Sequence, residues 1–148
     1  MDVREEIASE MVKAAKTKDK ERLSALRMIK AALHNKEIDL KGDLKDEDVL
    51  QVLSSMVKQR RDSIEQFKNG ERTDLAEKEE RELEIIQGFM PEQLSEEDIK
   101  KEIETAVAEA GAAGIRDMGK VMKILMPKLT GKADGKAISE LVRKTLSS

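Results

Sequence analysis

The sequence has no cysteine, tryptophan or tyrosine, and only two phenylalanines and two prolines occur among its 148 residues. Without cysteine the chain cannot form a disulfide, a thiolate metal site or a cysteine nucleophile. Because β-sandwiches are rich in aromatic and β-branched residues, the shortage of aromatics disfavours an all-β fold. No apolar run approaches the roughly 20 residues of a membrane span, and the polar, acidic N-terminus does not resemble a signal peptide. We therefore expect a cytoplasmic protein without membrane contact.

Helix-forming residues are abundant, and the apolar residues recur at helical spacing. Charged residues make up 40% of the chain and hydrophobic residues 39%. Alanine, leucine, lysine, glutamate, methionine and arginine dominate, and all six favour helices. Apolar positions three and four residues apart are typical of amphipathic helices that share a core. The pattern predicts an all-α fold.

Caps and breakers predict seven helices in two parts. Four helices are predicted before Pro91. They span about residues 2–17, 19–40 with Asp19 as the cap, 46–69 beginning at Asp46, and 73–87. Pro91 disfavours helical angles at the preceding residue and is a predicted hinge. Three helices follow. The first is capped by Ser95 and runs to about 110, the second begins near Asp117, and the third is capped by Asp134, with Pro127 and Gly131 enclosing the last loop. The predicted domains are a four-helix part, 1–91, and a small three-helix part, 92–148.

Few side chains combine into a recognisable catalytic site. His34 is the only histidine, and a lone histidine lacks the partners of a metal centre or a triad. Glu79 and Glu82 lie one turn apart on an acidic face that we expect to be solvated, whereas carboxylate catalysis usually needs burial. With Arg60, Arg61 and Arg72 they are better explained as an ion-pair network between the third and fourth helices. Enzyme activity through these residues is the weaker alternative, and we predict no catalytic residue, metal or cofactor.

Positive charge is concentrated at the end of the chain. Residues 115–148 contain eight basic and three acidic side chains, whereas residues 1–114 contain 20 basic and 28 acidic ones. Such a surplus favours an anionic partner, and a merely solvated surface is the equal alternative. The candidate binding residues are Lys120, Lys123, Lys128, Lys132, Lys136, Arg143 and Lys144.

The missing aromatics narrow the kind of anion. Proteins that read single-stranded RNA stack bases on aromatic side chains, and no aromatic residue follows Phe89. A nucleic acid bound here would be a folded RNA held by its phosphates, in weak and salt-sensitive binding. DNA is not expected.

Three methionines, Met118, Met122 and Met126, recur every four residues. A stripe at this spacing is usually part of a core. The alternative is an adaptable groove for a partner protein. A helical protein–protein adapter is accordingly the alternative function.

Several short motifs, taken in order, are specific as a set. Gly119-Lys120-Val121-Met122-Lys123, followed by Gly131-Lys132-Ala133-Asp134, resembles the closing motif of the GatB/YqeY domain. The rest of the chain is similar to stand-alone YqeY proteins at Arg60-Arg61-Asp62-Ser63-Ile64, Gly70-Glu71-Arg72-Thr73-Asp74-Leu75, Glu79, Glu82 and Met90-Pro91-Glu92-Gln93-Leu94-Ser95. The family pattern often has tyrosine before Leu-Pro where this chain has Phe89-Met90, a difference that concerns packing.

The resemblance implies an all-α N-terminal part and a small helical C-terminal part. In the GatB subunit of the tRNA-dependent amidotransferase, this domain is the tail that contacts the elbow side of tRNA, and it carries no active site. The implied partners are therefore tRNA, an amidotransferase or another protein, and the implied role is that of a non-catalytic accessory module. A label such as carbon–nitrogen ligase with glutamine as amido-N-donor would come from family association, because no motif here resembles that active site.

Overall fold

The computed structural model describes residues 2–147 and places them in two helical units. These residues form seven α-helices and one short 3₁₀ helix, and no strand occurs among them. The all-α prediction is confirmed. The first compact unit ends at Met90 and the second begins at Pro91. None of the helices within 2–147 is both long enough and apolar enough to cross a membrane.

The first unit contains four helices, and the first two begin at an aspartate cap. Asp19 caps the second helix, since its carboxylate accepts a hydrogen bond from the Arg22 N–H at 3.1 Å. Side chains of this kind satisfy backbone donors that have no partner within the helix. The helices are α1 (Val3–Lys16), α2 (Lys20–Leu40), α3 (Asp46–Asn69) and α4 (Thr73–Gln87).

The core of the first unit lies where α2, α3 and α4 meet. Leu26, Ile29 and Leu53 are completely buried there, and α3 packs along α4. Burying a side chain of this size contributes about 1.5–3 kcal/mol. The packing brings the middle of α3 against the middle of α4, which places Arg60 beside the acidic residues of α4.

The second unit contains the remaining helices. Ser95 begins the first of them, because its hydroxyl accepts a hydrogen bond from the Asp98 N–H at 3.1 Å. Gly111 ends it in the left-handed region, with φ of 62°. Ile103, Leu125 and Ile138 are completely buried in the core of the unit. The elements are α5 (Glu96–Ala110), the 3₁₀ helix Ile115–Asp117, α6 (Met118–Leu129) and α7 (Gly135–Ser147).

One predicted boundary is wrong, because α6 continues through Pro127 to Leu129. Proline removes a backbone donor and crowds the carbonyl four residues earlier, which predicts a helix end. Pro127 lies in the last turn, however, and the last residue, Leu129, is buried in the core. The Thr130 N–H also donates to the Met126 carbonyl at 3.0 Å. Burial and this bond preserve the turn, so the loop comprises residues 130–134.

Candidate nucleic-acid interface

The basic side chains predicted to bind an anion all lie on α6, on α7 or in the turn between them, and all are exposed. The two helices pack against each other in the second unit. We call these seven side chains the cationic surface. Its members are Lys120, Lys123 and Lys128 on α6, Lys132 in the turn, and Lys136, Arg143 and Lys144 on α7.

Helical geometry explains why these side chains are exposed. In α6, the buried residues Val121, Leu125 and Leu129 recur every four positions, so Lys120 and Lys123 lie on the outer side of a helix with 3.6 residues per turn. In α7, Ile138 and Val142 are buried in the same way. The same spacing places Lys136 and Arg143 on one side of α7, about 10 Å apart along the helix axis.

Two members of the cationic surface have acidic neighbours. The Lys120 ammonium lies 3.7 Å from the Asp117 carboxylate, and the Lys128 ammonium lies 3.8 Å from the Glu109 carboxylate. Exposed pairs at such distances contribute little and exchange easily. The other five cations form no ion pair with any residue in 2–147, namely Lys123, Lys132, Lys136, Arg143 and Lys144.

The charge asymmetry lies within the second unit. Residues 91–148 contain ten basic and ten acidic side chains, so the unit has no net charge. Seven of these acids precede residue 115, and six belong to α5. Local placement, not net charge, therefore creates the positive potential of α6 and α7, and its reach is about one Debye length, about 8 Å at physiological salt.

The turn that carries Lys132 is held from both sides. Gly131 has φ of 79°, in the region that favours glycine. Within the turn, the Lys132 N–H donates to the Leu129 carbonyl at 2.9 Å. From outside, the Gln93 amide donates to the Gly131 carbonyl at 2.7 Å, and the Leu94 N–H donates to the Lys132 carbonyl at 2.9 Å.

The predicted site residues do not include Gln93, although Gln93 and Gly131 both belong to motifs that resemble the YqeY pattern. The occurrence of both motifs in one chain is the only sequence signal for Gln93, and it does not reveal that Gln93 contacts Gly131. Asp134, the predicted cap, directly precedes α7, and its carbonyl accepts a hydrogen bond from the Ile138 N–H at 3.0 Å. Residues of these motifs thus form the hydrogen bonds of the turn and also supply its positive charge.

Asp117 anchors the start of α6 next to the motif residue Gly119. Its carboxylate accepts a hydrogen bond from the Ala113 N–H at 2.9 Å. That hydrogen bond is the main reason why the pKa of Asp117 lies below its usual value, and the positive charge of Lys120 lowers the pKa further. The charged Asp117 carboxylate therefore holds the backbone at Ala113, just before the short helix that leads into α6.

The methionine stripe lies at the edge of the core. Met118 and Met122 are half-buried and pack against the core of the second unit, as the core interpretation predicts. Met126 is different, because 36% of it is exposed. The stripe thus runs from the core to the surface.

The first unit holds a second cluster of the predicted residues, centred on Arg60. Its Nε lies 3.0 Å from Glu82 Oε2 and 3.3 Å from Glu79 Oε2. The exposed fractions of the three side chains are 11% for Arg60, 12% for Glu82 and 23% for Glu79. An Arg60 Nη atom also lies 3.8 Å from the Met28 sulfur. One guanidinium therefore joins α3 to two carboxylates of α4.

Two details of this cluster differ from prediction. Glu79 and Glu82 do not lie on a solvated face, because the packing of α4 on α3 turns them inward. Arg61 is exposed and forms no ion pair within 2–147. Arg72 is not part of the network among these residues either, since its ion-pair partner is Asp74, two residues away, at 3.4 Å. Both of those side chains are more than half exposed. Within 2–147, no group of three or more histidine or acidic side chains is placed to hold a metal ion.

Fold and surface together define a class: a small protein of two helical units whose second unit carries a cationic surface. The family follows from comparison with known proteins. The chain belongs to the YqeY family, because the family model described as "Yqey-like protein" matches residues 4–146. The resemblance inferred from the motifs is thereby confirmed.

Relatives from three organisms carry the name "Altered inheritance of mitochondria protein 41, mitochondrial". The protein of Pyrenophora tritici-repentis is 28% identical over 145 residues, which cover 96% of this chain and 80% of the relative. That of Saccharomyces cerevisiae is 30% identical over 140 residues, covering 89% and 70%. That of Lachancea thermotolerans is 40% identical over 85 residues, covering 57% and 46%. The name places these relatives in mitochondria, and it states no ligand or reaction.

Proposed function

We propose that this chain is a non-catalytic accessory module that binds tRNA, or a folded RNA like it, through the cationic surface. The observation that carries the proposal is the set of five exposed cations without an ion-pair partner in 2–147, spread over two packed helices and their turn. Each can meet a phosphate without first breaking an internal pair. Phosphate contacts of this kind supply most of the sequence-independent affinity for nucleic acids.

A folded RNA suits this surface better than a single strand. Residues 91–148 contain no aromatic side chain on which an unpaired base could stack. Four of the five cations lie on helices, and Lys132 lies in the turn between them. The regular spacing along a helix suits a partner with phosphates in fixed positions. Among folded RNAs, tRNA is the leading candidate because of the resemblance to the GatB tail domain.

The number of available cations limits the affinity. Five phosphate contacts correspond to a slope of roughly −3.5 to −4.5 in a plot of log affinity against log salt concentration. Binding is therefore measurable at low salt and weak at physiological salt. This suits a module that helps to place an RNA that another protein also holds.

The test compares two fourfold variants by filter binding to bulk tRNA at several salt concentrations. Four members of the cationic surface become glutamate in K120E/K123E/K132E/K136E. The matched control introduces the same charge change at four exposed lysines of the first unit that form no ion pair in 2–147, in K16E/K30E/K58E/K78E.

The two variants are expected to behave differently. The cationic-surface variant loses at least ten-fold in affinity at low salt, and its slope becomes no steeper than about −2, because few phosphate contacts remain. The control keeps the slope of the unchanged chain. Equal losses in both variants, or no loss in the first, would refute the proposal.

The accessory role also implies that carbon–nitrogen ligase activity belongs to a partner. The half-buried acids Glu79 and Glu82 both contact the buried Arg60, an arrangement that suits a structural ion pair between helices. An amidotransferase is the partner class that the resemblance suggests. Release of glutamate from glutamine by the purified chain, with tRNA present, would overturn the accessory role.

A protein–protein adapter is the second candidate, favoured by exposed apolar side chains in the second unit. Ile115 and Met126 are both large, apolar and exposed, and methionine adapts to varied partners. An adapter would retain a stable protein partner in a pull-down after RNase treatment. An RNA-binding module would lose its co-purifying material in the same step.

The cytoplasm is the expected location, although the relatives' names say mitochondrial. tRNA is present in both compartments, so the proposed binding does not depend on the choice. Fractionation of cells followed by immunoblotting distinguishes the two locations.

A further inference from the structure

We infer that Gln93 is a positioning residue, which clamps the α6–α7 turn so that the cationic surface is ordered before it meets an anion. The expected effect on RNA binding rests on the proposed function, whereas the clamp itself rests on hydrogen bonds within the second unit. The clamp joins the segment 91–94, which begins this unit, to the turn 130–134. Two bonds cross between them, from Gln93 to Gly131 and from Leu94 to Lys132.

The chemistry of the side chain explains why glutamine suits this position. A primary amide carries two N–H donors on one nitrogen. The Gln93 nitrogen uses them on two carbonyls, that of Gly131 at 2.7 Å and that of Pro91 at 3.2 Å. The second bond folds the side chain onto its own segment, and this orients the first bond towards the turn. Neither glutamate nor methionine can donate in this way.

The turn needs an external clamp because its own bonds are few. Gly131 adopts φ of 79°, and glycine loses more conformational freedom on ordering than any other residue. The Lys132 N–H is bonded within the turn, whereas the carbonyls of Gly131 and Lys132 are held only from the segment 91–94 among the described residues. Without those bonds, the backbone that carries Lys132 samples more conformations.

The consequence for binding is entropic. A phosphate contact made by Lys132 from an ordered turn requires less loss of conformational freedom than one made from a mobile turn. The clamp changes no charge, so it affects affinity without changing the number of phosphate contacts. One hydrogen bond corresponds to about a five-fold change in an equilibrium constant.

The test replaces the amide with an uncharged side chain of similar length, in Gln93→Met. The matched control is Gln59→Met, at an exposed glutamine of α3 in the first unit. Hydrogen exchange of the Leu94 N–H, measured by NMR, reports on the clamp without any RNA. Filter binding to tRNA over a range of salt concentrations reports on positioning.

In Gln93→Met, we expect about five-fold faster exchange at the Leu94 N–H and a several-fold loss of tRNA affinity, with an unchanged salt slope. The far-UV circular dichroism spectrum should match that of the unchanged chain, and Gln59→Met should alter none of these measurements. A purely structural role would lower the melting temperature and leave affinity below the transition unchanged.

The failure of the clamp and that of the proposed function are distinguishable. Unchanged exchange at the Leu94 N–H overturns the clamp, whatever happens to RNA binding. Faster exchange with unchanged tRNA affinity overturns the positioning role. Faster exchange in a chain that never binds RNA supports the clamp and refutes the proposed function.

Discussion

Replacing Arg60 with methionine removes the only cation that forms an ion pair with Glu79 or Glu82 among the described residues. Methionine fills much of the volume of the arginine stem and makes no charged contact. The two carboxylates stay one turn apart on α4 in a largely buried place. The change thus isolates the electrostatic role of Arg60.

The magnitude follows from the burial of the three groups. Removing one partner of a buried ion pair destabilises a protein by about 3–5 kcal/mol. Glu79 and Glu82 are not completely buried, so water relieves part of that penalty, and we expect about 3 kcal/mol. For a unit of this size, each kcal/mol lowers the melting temperature by about 4–8 °C. The expected decrease is therefore roughly 12–24 °C for the first unit.

Thermal and urea denaturation, followed by circular dichroism at 222 nm, measure the effect. Arg72→Met is the matched control, because Arg72 pairs with Asp74 on the exposed surface, and such pairs contribute less than about 1 kcal/mol. Arg60→Met combined with Glu79→Gln and Glu82→Gln should recover most of the loss, since no uncompensated charge remains. Equal melting temperatures for the two single variants, or no recovery in the triple variant, would refute this reasoning.

Two motif glycines and one aspartate allow further tests. Gly131→Ala should destabilise the second unit by about 1–2 kcal/mol, because φ of 79° is unfavourable for alanine. Gly119→Ala should stabilise the unit by about 0.5 kcal/mol, because Gly119 is helical and has open space around it. Urea denaturation measures both changes in the free energy of unfolding, and changes of the same sign would contradict these predictions. Asp117 has a lowered pKa when folded, so its stabilising effect is present above its unfolded pKa of about 4 and disappears as pH falls through its folded pKa. The difference in free energy of unfolding between the unchanged chain and Asp117→Asn should therefore narrow below about pH 4, and a constant difference down to pH 2.5 would exclude this role.

The helices were predictable because the signals for them are local. The predicted bounds of α4, 73–87, agree with the structure, and the caps Asp19 and Ser95 accept the expected hydrogen bonds. Caps, left-handed glycines and apolar spacing act over three or four residues, a distance that a sequence displays directly. The candidate cations were predicted from the surplus of basic residues after position 115. Helical periodicity explains why those on α6 and α7 lie opposite the buried positions.

Other features depend on residues far apart in the chain, and the tertiary structure alone decided them. Arg60 and Glu82 are 22 residues apart, and only the packing of α3 on α4 selects Arg60 as the buried cation. Arg81 of α4 pairs with Glu21 of α2, which lies 60 residues earlier in the chain.

The sequence by itself determined the all-α fold, the caps and the stretch of chain that carries the cationic surface, because these depend on neighbouring residues. The tertiary structure decided that α6 passes through Pro127, that Glu79 and Glu82 turn inward, and that Gln93 holds Gly131 across 38 residues. The physical reason is the same in each case. Burial and long-range hydrogen bonds outweigh local preference, and no local pattern identifies the distant partner.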